Sequence, residues 1–270
     1  MSRPTSTALR RAARAPVTAA VVCAAVFTAG PAALGADTNP SAQQLADDAR
    51  TALLKAHSLH LVLTNHARTP RDTRTPRVFD LRLDDKGDCT GFLRMGTGGA
   101  DGGSVRLVKR GDQVWMKPDT TFWKTQVPGR PGELAAQVFD GRYLHGTTDD
   151  PALSGLANTC DLDAFRGRLE QGSGRDAQDH LTKGKPTEVG GEKVVPLTGH
   201  QGRTTVTLDV TSDAPHRLVR ATEKGPGVDI TMTLGDYDKP VPDKTPPSDQ
   251  SVDVSKLHDL MPDSTPSQSA

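Results

Sequence analysis

What this chain has little of sets the first limits. Only 34% of its 270 residues are hydrophobic and 4% aromatic, so the core is lean and small residues, among them 26 glycines, must fill much of its space. There is no excess of charge, because 33 basic residues cancel 33 acidic ones. Lys and Arg are spread singly among strands and turns, which excludes the clustered cationic patch that steers a protein toward nucleic acid or an anionic lipid surface. After residue 36 no run approaches the ~20 apolar residues of a membrane-spanning helix, so a second span is excluded. At this length one or two domains are expected.

The first 36 residues read as an address. Arg3, Arg10, Arg11 and Arg14 form a basic leader without acidic residues, and an Ala/Val-rich stretch follows from Ala15 to about Ala29. Gly30-Pro31 breaks it, and Ala33-Leu34-Gly35 supplies a small-x-small cleavage site. That order is the one found in a secretory signal peptide, with an uncleaved signal anchor as the alternative. Cys23 lies inside the apolar stretch behind Val21-Val22, a setting that argues against lipid anchoring there. Without the four leader arginines the chain holds 29 basic against 33 acidic residues, a net of −4. An extracytoplasmic location is expected, secreted or associated with the cell envelope. Two cysteines remain, Cys89 and Cys160, and an even count in an exported chain reads as a disulfide, with two buried thiols as the other possibility.

The mature chain changes hydrophobic period several times. Ser41 can cap a helix to about His57, with Leu45, Ala49, Ala52, Leu53 and Ala56 on one face. From Ser58 the period becomes two, with Leu59, Leu61 and Leu63 alternating with polar neighbours. Phe79, Leu81 and Leu83 repeat the pattern, Asp85-Lys86-Gly87-Asp88 turns, and a return strand runs from Cys89 to Met95. A glycine-rich loop, 96–103, precedes a hairpin over 105–116. Short helices are predicted over 131–138, 151–158 and 161–169. Strands return at 182–189, 193–198, Val206/Leu208/Val210, 217–223 and Ile230/Met232/Leu234. From 241 to 270 the chain reads as a flexible Pro/Asp/Ser-rich tail, with one exception at Val252 to Met261, where Ser255 could cap a short docking helix. One domain, 37–240, is therefore expected between signal and tail.

Strands linked by short Gly/Asp turns are antiparallel neighbours, each with one apolar and one polar face. The apolar face needs a cover, and the predicted helices are what the chain offers. The fold class is α+β, a curved antiparallel sheet of half-barrel form with helices covering its concave face.

A scan for catalytic chemistry yields little. The eight histidines show no recurring ligand spacing, so no metal site is assigned. Gly96-Thr97-Gly98-Gly99 lacks the Lys-Ser/Thr of a phosphate loop, no Gly-x-Ser-x-Gly elbow exists, and the acidic turn at 84–88 lacks the closing Glu of a calcium loop. Asp161 and Asp163 sit where a helix start wants a cap and a dipole partner. No enzyme activity and no cofactor are expected.

Four segments carry a family resemblance. They are Asp88-Cys89-Thr90-Gly91 with its glycine loop, Val114-Trp115-Met116-Lys117-Pro118-Asp119 leading to Phe122-Trp123, Cys160-Asp161-Leu162-Asp163, and the last strand ending Gly235-Asp236-Tyr237. In this order, over about 45–240, the chain resembles the actinobacterial lipoprotein family of LppX/LprG type, which is similar in fold to the LolA/LolB lipoprotein carriers. The resemblance implies a half-open sheet with helices across its concave side and a cavity for acyl chains or a lipid anchor, and no catalytic residues.

The expected ligand-binding lining is Leu59, Leu61, Leu63, Phe79, Leu81, Leu83, Val206, Leu208, Val210, Ile230, Met232 and Leu234, each of which would otherwise be ordinary core. The partner would be a lipid or an acylated protein, with transient contact to a membrane and no nucleic acid. A monomer is expected. The alternative is a non-catalytic envelope module that docks another protein without a ligand cavity.

Overall fold

The computed structural model describes residues 39–67, 76–96, 102–171 and 180–260. The signal peptide expected at 1–36 and residue 23 lie outside them. The compact unit from Pro40 onward holds every element below.

Ser41 does cap the first helix: its hydroxyl accepts from the Gln44 backbone N–H at 3.1 Å, and α1 runs Ala42–Lys55. Two antiparallel meanders follow. The first comprises β1 (Ser58–Asn65), β2 (Pro76–Asp84), β3 (Cys89–Met95), β4 (Ser104–Arg110), β5 (Gln113–Pro118) and β6 (Tyr143–Thr147). The second comprises β9 (Glu192–Gln201), β10 (Thr204–Thr211), β11 (Leu218–Gly225) and β12 (Val228–Gly235). They join because β12 pairs with β1, setting Leu63 opposite Met232 and Leu61 opposite Leu234. With the short strands β7 (Thr182–Lys183), β8 (Thr187–Val189) and β13 (Ser251–Asp253), one curved, open sheet of 13 strands results. The α+β class expected from the hydrophobic periods is the class observed.

Helices lie between and after the strands of the first meander: α2 (Thr120–Gln126), α3 (Arg130–Val138), α4 (Pro151–Ala157) and α5 (Leu162–Gln171), with a 3-10 turn at Asn158–Cys160. They cover the apolar face. Helix α1 lies on β10 and β11, α2 on β4, α4 on β5 and β6, and the 3-10 turn on β2. The core between the layers is small-residue-rich, as the composition required. Leu45, Ala49, Leu53, Ala135, Ala136 and Ala157 pack from the helices onto Leu81, Leu93, Val105, Leu107 and Leu197 of the sheet. At Gly91 the strands approach so closely that a side chain would run into the Asp80 carbonyl of β2, which accounts for glycine there. The other sheet face carries polar pairs and a stacked Trp115–His145 couple, ring centroids 4.7 Å apart.

Three features depart from the expected pattern. Helix α2 falls where the sequence reading assigns no element: Asp119 caps it by accepting from Phe122 N–H at 2.7 Å, and Trp123 is buried on its inner side. The strand expected over 182–189 is split into β7 and β8. Pro186 has no N–H to give a ladder, while Gly184 donates to the Pro196 carbonyl at 2.7 Å. Finally, the part of the tail expected to hold a short docking helix also supplies a strand that the sequence reading did not include. β13 pairs in parallel with β6, and α6 (Ser255–Leu260) follows it, with Val254 and Leu257 in the core. Apolar residues at 252, 254 and 257 are enough to dock a segment whose prolines prevent independent folding.

Candidate ligand-binding site

Register builds one wall of a cavity. Pairing of β1 with β2 puts Leu61 beside Leu81 and Leu63 beside Phe79, and β12 adds Met232 beside Leu63. All face the helices, since side chains two apart in a strand share a face. The opposite wall comes from the helical layer: Gly155 of α4, Asn158 and Thr159 of the 3-10 turn, and Phe165, Arg168 and Leu169 of α5. Between the walls lies a cavity of about 560 Å³, within the size range of small-molecule sites.

Several local devices hold the helical wall in place. Asp150 precedes α4 and accepts from Thr147 N–H at 2.6 Å, and Pro151 pre-sets the first helical turn. Asp161 accepts from Ala164 N–H at 2.7 Å at the start of α5, the cap its position suggested. Thr159 Oγ1 donates to the Leu156 carbonyl at 2.6 Å. Cys160, next in the chain, is disulfide-bonded to Cys89 of β3 with Cα atoms 5.5 Å apart. That pins the wall to the sheet. Arg166 donates to the Ala56 carbonyl and pairs with Asp163 at 2.6 Å, which ties α5 to the α1–β1 junction.

Gly155 contributes space. A Cβ built there would meet no atom within 4 Å, although a glycine inside a helix lowers its stability by roughly 0.5–1 kcal/mol.

Of the twelve lining candidates read from the sequence, the structure places Leu61, Leu63, Phe79, Leu81, Leu83 and Met232 in the cavity wall. The other six share the same sheet face but do not reach the cavity. Leu59 is 2% exposed and sits in solid core beside Leu83. Val210 and Leu208 belong to β10, on which α1 packs, and Leu234 is buried next to Leu61. Val206 and Ile230 are half-buried near the turn ends of β10 and β12. Strand periodicity identifies a face, but which part is left uncovered depends on where the helices land. The helix-side residues Gly155, Asn158, Thr159, Phe165, Arg168 and Leu169 were missed. A signal existed in the stripe Leu162-Phe165-Leu169, spaced three and four apart.

A second hollow of about 300 Å³ lies beside the disulfide and is polar, lined by Asp84, Asp85, Lys86, Lys109, Asp161 and Asp163 among others. A hydrogen bond with the His57 ring, 2.7 Å away, holds the Asp85 carboxyl below its usual range. No group of three His, Cys, Asp or Glu among the described residues is arranged to hold a metal ion. None of the described helices is long and apolar enough to cross a membrane.

No known family profile matches the chain, and no curated protein sequence does. Among solved structures the fold is similar to that of lipoprotein LppX of Mycobacterium tuberculosis, with TM-score 0.47 and 12% identity over 77% of this chain and 100% of that one. LprF from Mycobacterium bovis gives TM-score 0.47 and 17% identity over 77% of this chain and 99% of that one. A putative outer membrane lipoprotein-sorting protein domain from Vibrio parahaemolyticus gives TM-score 0.23 and 9% identity, covering 74% and 94%.

Proposed function

We propose that this is an exported envelope protein of the LppX/LprG and LolA type, which binds a lipid or the acyl chains of a lipidated partner non-covalently and carries it. The observation that supports the reading is the cavity wall. Leu61, Leu63, Phe79, Leu81, Leu83 and Met232 face Phe165 and Leu169 across about 560 Å³. Such a lining offers a hydrocarbon chain a place out of water and presents no nucleophile to it. Each buried methylene contributes about 0.8 kcal/mol, so a ten-carbon stretch gains roughly 8 kcal/mol. Association itself costs on the order of 4–15 kcal/mol, which leaves binding reversible, as a carrier needs.

Native mass spectrometry of the gently purified protein, followed by solvent extraction, tests this. The expected result is a mass adduct that extraction identifies as lipid, and uptake of Nile red by the stripped protein. A single unliganded mass together with no dye uptake would overturn the reading and favour the docking module.

A further inference from the structure

Helix α5 carries two arginines, two residues apart, used in different ways. Arg166 is engaged by Asp163 and by the Ala56 carbonyl. Arg168 has no ion pair or hydrogen bond among the described residues, is exposed to solvent, and lines the cavity. Among the described residues it is the one charged side chain that lines the cavity, and no described carboxylate shares the wall. A cation in the last turn of a helix is favoured by the helix dipole, but that effect is the same on any side of the helix. It does not account for a guanidinium set at the edge of an apolar cavity. Asn158 and Thr159, on the same helical wall, add an amide and a hydroxyl oxygen.

We infer that the ligand is an amphiphile with an anionic head, a carboxylate or a phosphate, seated against Arg168 with its tail among Leu61, Leu63, Phe79 and Met232. The inference rests on the lipid-binding reading above. A guanidinium can meet either head with two parallel charge-assisted hydrogen bonds, whereas a hydroxyl head leaves it to water. Arg168 is thus a specificity-determining residue, and the apolar wall supplies affinity without discrimination.

Displacement of Nile red from the full chain by dodecanoate, dodecyl phosphate and dodecanol, each below its micelle concentration, tests the assignment. The wild type is expected to bind at least one anion about tenfold more tightly than the alcohol. The tighter of the two anions identifies the head. Arg168→Gln should bring the anions down to the level of the alcohol and leave the alcohol unchanged, and Arg168→Lys should retain part of the preference. Equal binding of alcohol and anions by the wild type, or a preference that survives in Arg168→Gln, overturns the assignment and leaves the lipid reading standing. Failure of all three to displace the dye overturns the lipid reading, and this inference with it.

Discussion

Cys89, on the inner face of the sheet, is covalently joined to Cys160, which directly follows the two residues that complete the helical wall of the cavity. The bond spans 71 residues of sequence, so it removes much freedom from the unfolded chain while anchoring one side of the site. On chain-entropy grounds it stabilises the fold by about 4 kcal/mol. The double variant Cys89→Ala/Cys160→Ala is expected to lose an amount of that order in denaturant titration, and to take up Nile red more weakly. A midpoint equal to that of the oxidised wild type would show that the anchor is dispensable.

Gly155 offers a way to separate folding from binding. Gly155→Ala should raise stability by roughly 0.5–1 kcal/mol, since a helix gains from the exchange and no atom stands in the way. Gly155→Trp should keep the thermal transition near that of the wild type while excluding the dye, because the indole enters the cavity. Dye binding unaffected by the indole would place the bound molecule elsewhere.

Acid should weaken the protein in part through Asp236. A hydrogen bond from Lys239, helped by Arg82 and His60, holds its carboxyl below the usual range. A carboxyl depressed in the folded state contributes stability above its unfolded pKa of about 4, and the contribution is lost as pH falls through the lower folded value. Asp236→Asn tolerates the positive φ of 48° and removes the charge. The variant is expected to be less stable at neutral pH by at most about 1 kcal/mol, since the pair is partly exposed. Below about pH 4 its stability should fall less steeply than that of the wild type. Parallel acid-unfolding curves for the two proteins would contradict this.

The segment after 250 belongs to the fold energetically. Leu257 is 5% exposed, so Leu257→Ala should destabilise by about 2–4 kcal/mol. Truncation after Gln250 would in addition bare the edge of β6, and faster aggregation on warming is the expected sign. A truncated chain with an unchanged melting temperature would return this segment to the status of a tail.

Much of the architecture was legible in the sequence. Strand and helix periods and Gly/Asp turns located α1, α3, α4, α5 and most strands, because each carries its own local signal. Helix α2, no shorter than α4, was missed because Thr120, Thr121, Phe122, Trp123 and Thr125 are residue types that favour strands, and no proline opens it as Pro151 opens α4. β13 was missed because three residues after a proline-rich stretch mean nothing until β6 offers them an edge. The cavity was half legible. Leu61, Leu63, Phe79, Leu81, Leu83 and Met232 advertise an apolar face, whereas Leu59 and Val210 advertise it equally and are solid core. What separates them is the landing place of α1 and α4, a tertiary fact with no sequence period.

The pairing of β1 with β12 also governs assembly. The first strand of the domain waits for one of the last, so a nascent chain that has made β1 and β2 displays Leu61 and Leu63 along an unmet border until Met232 and Leu234 arrive. The chamber closes late in folding, and no N-terminal fragment can own it. Partly made chains therefore expose an apolar strand border, the kind of surface through which folding intermediates aggregate.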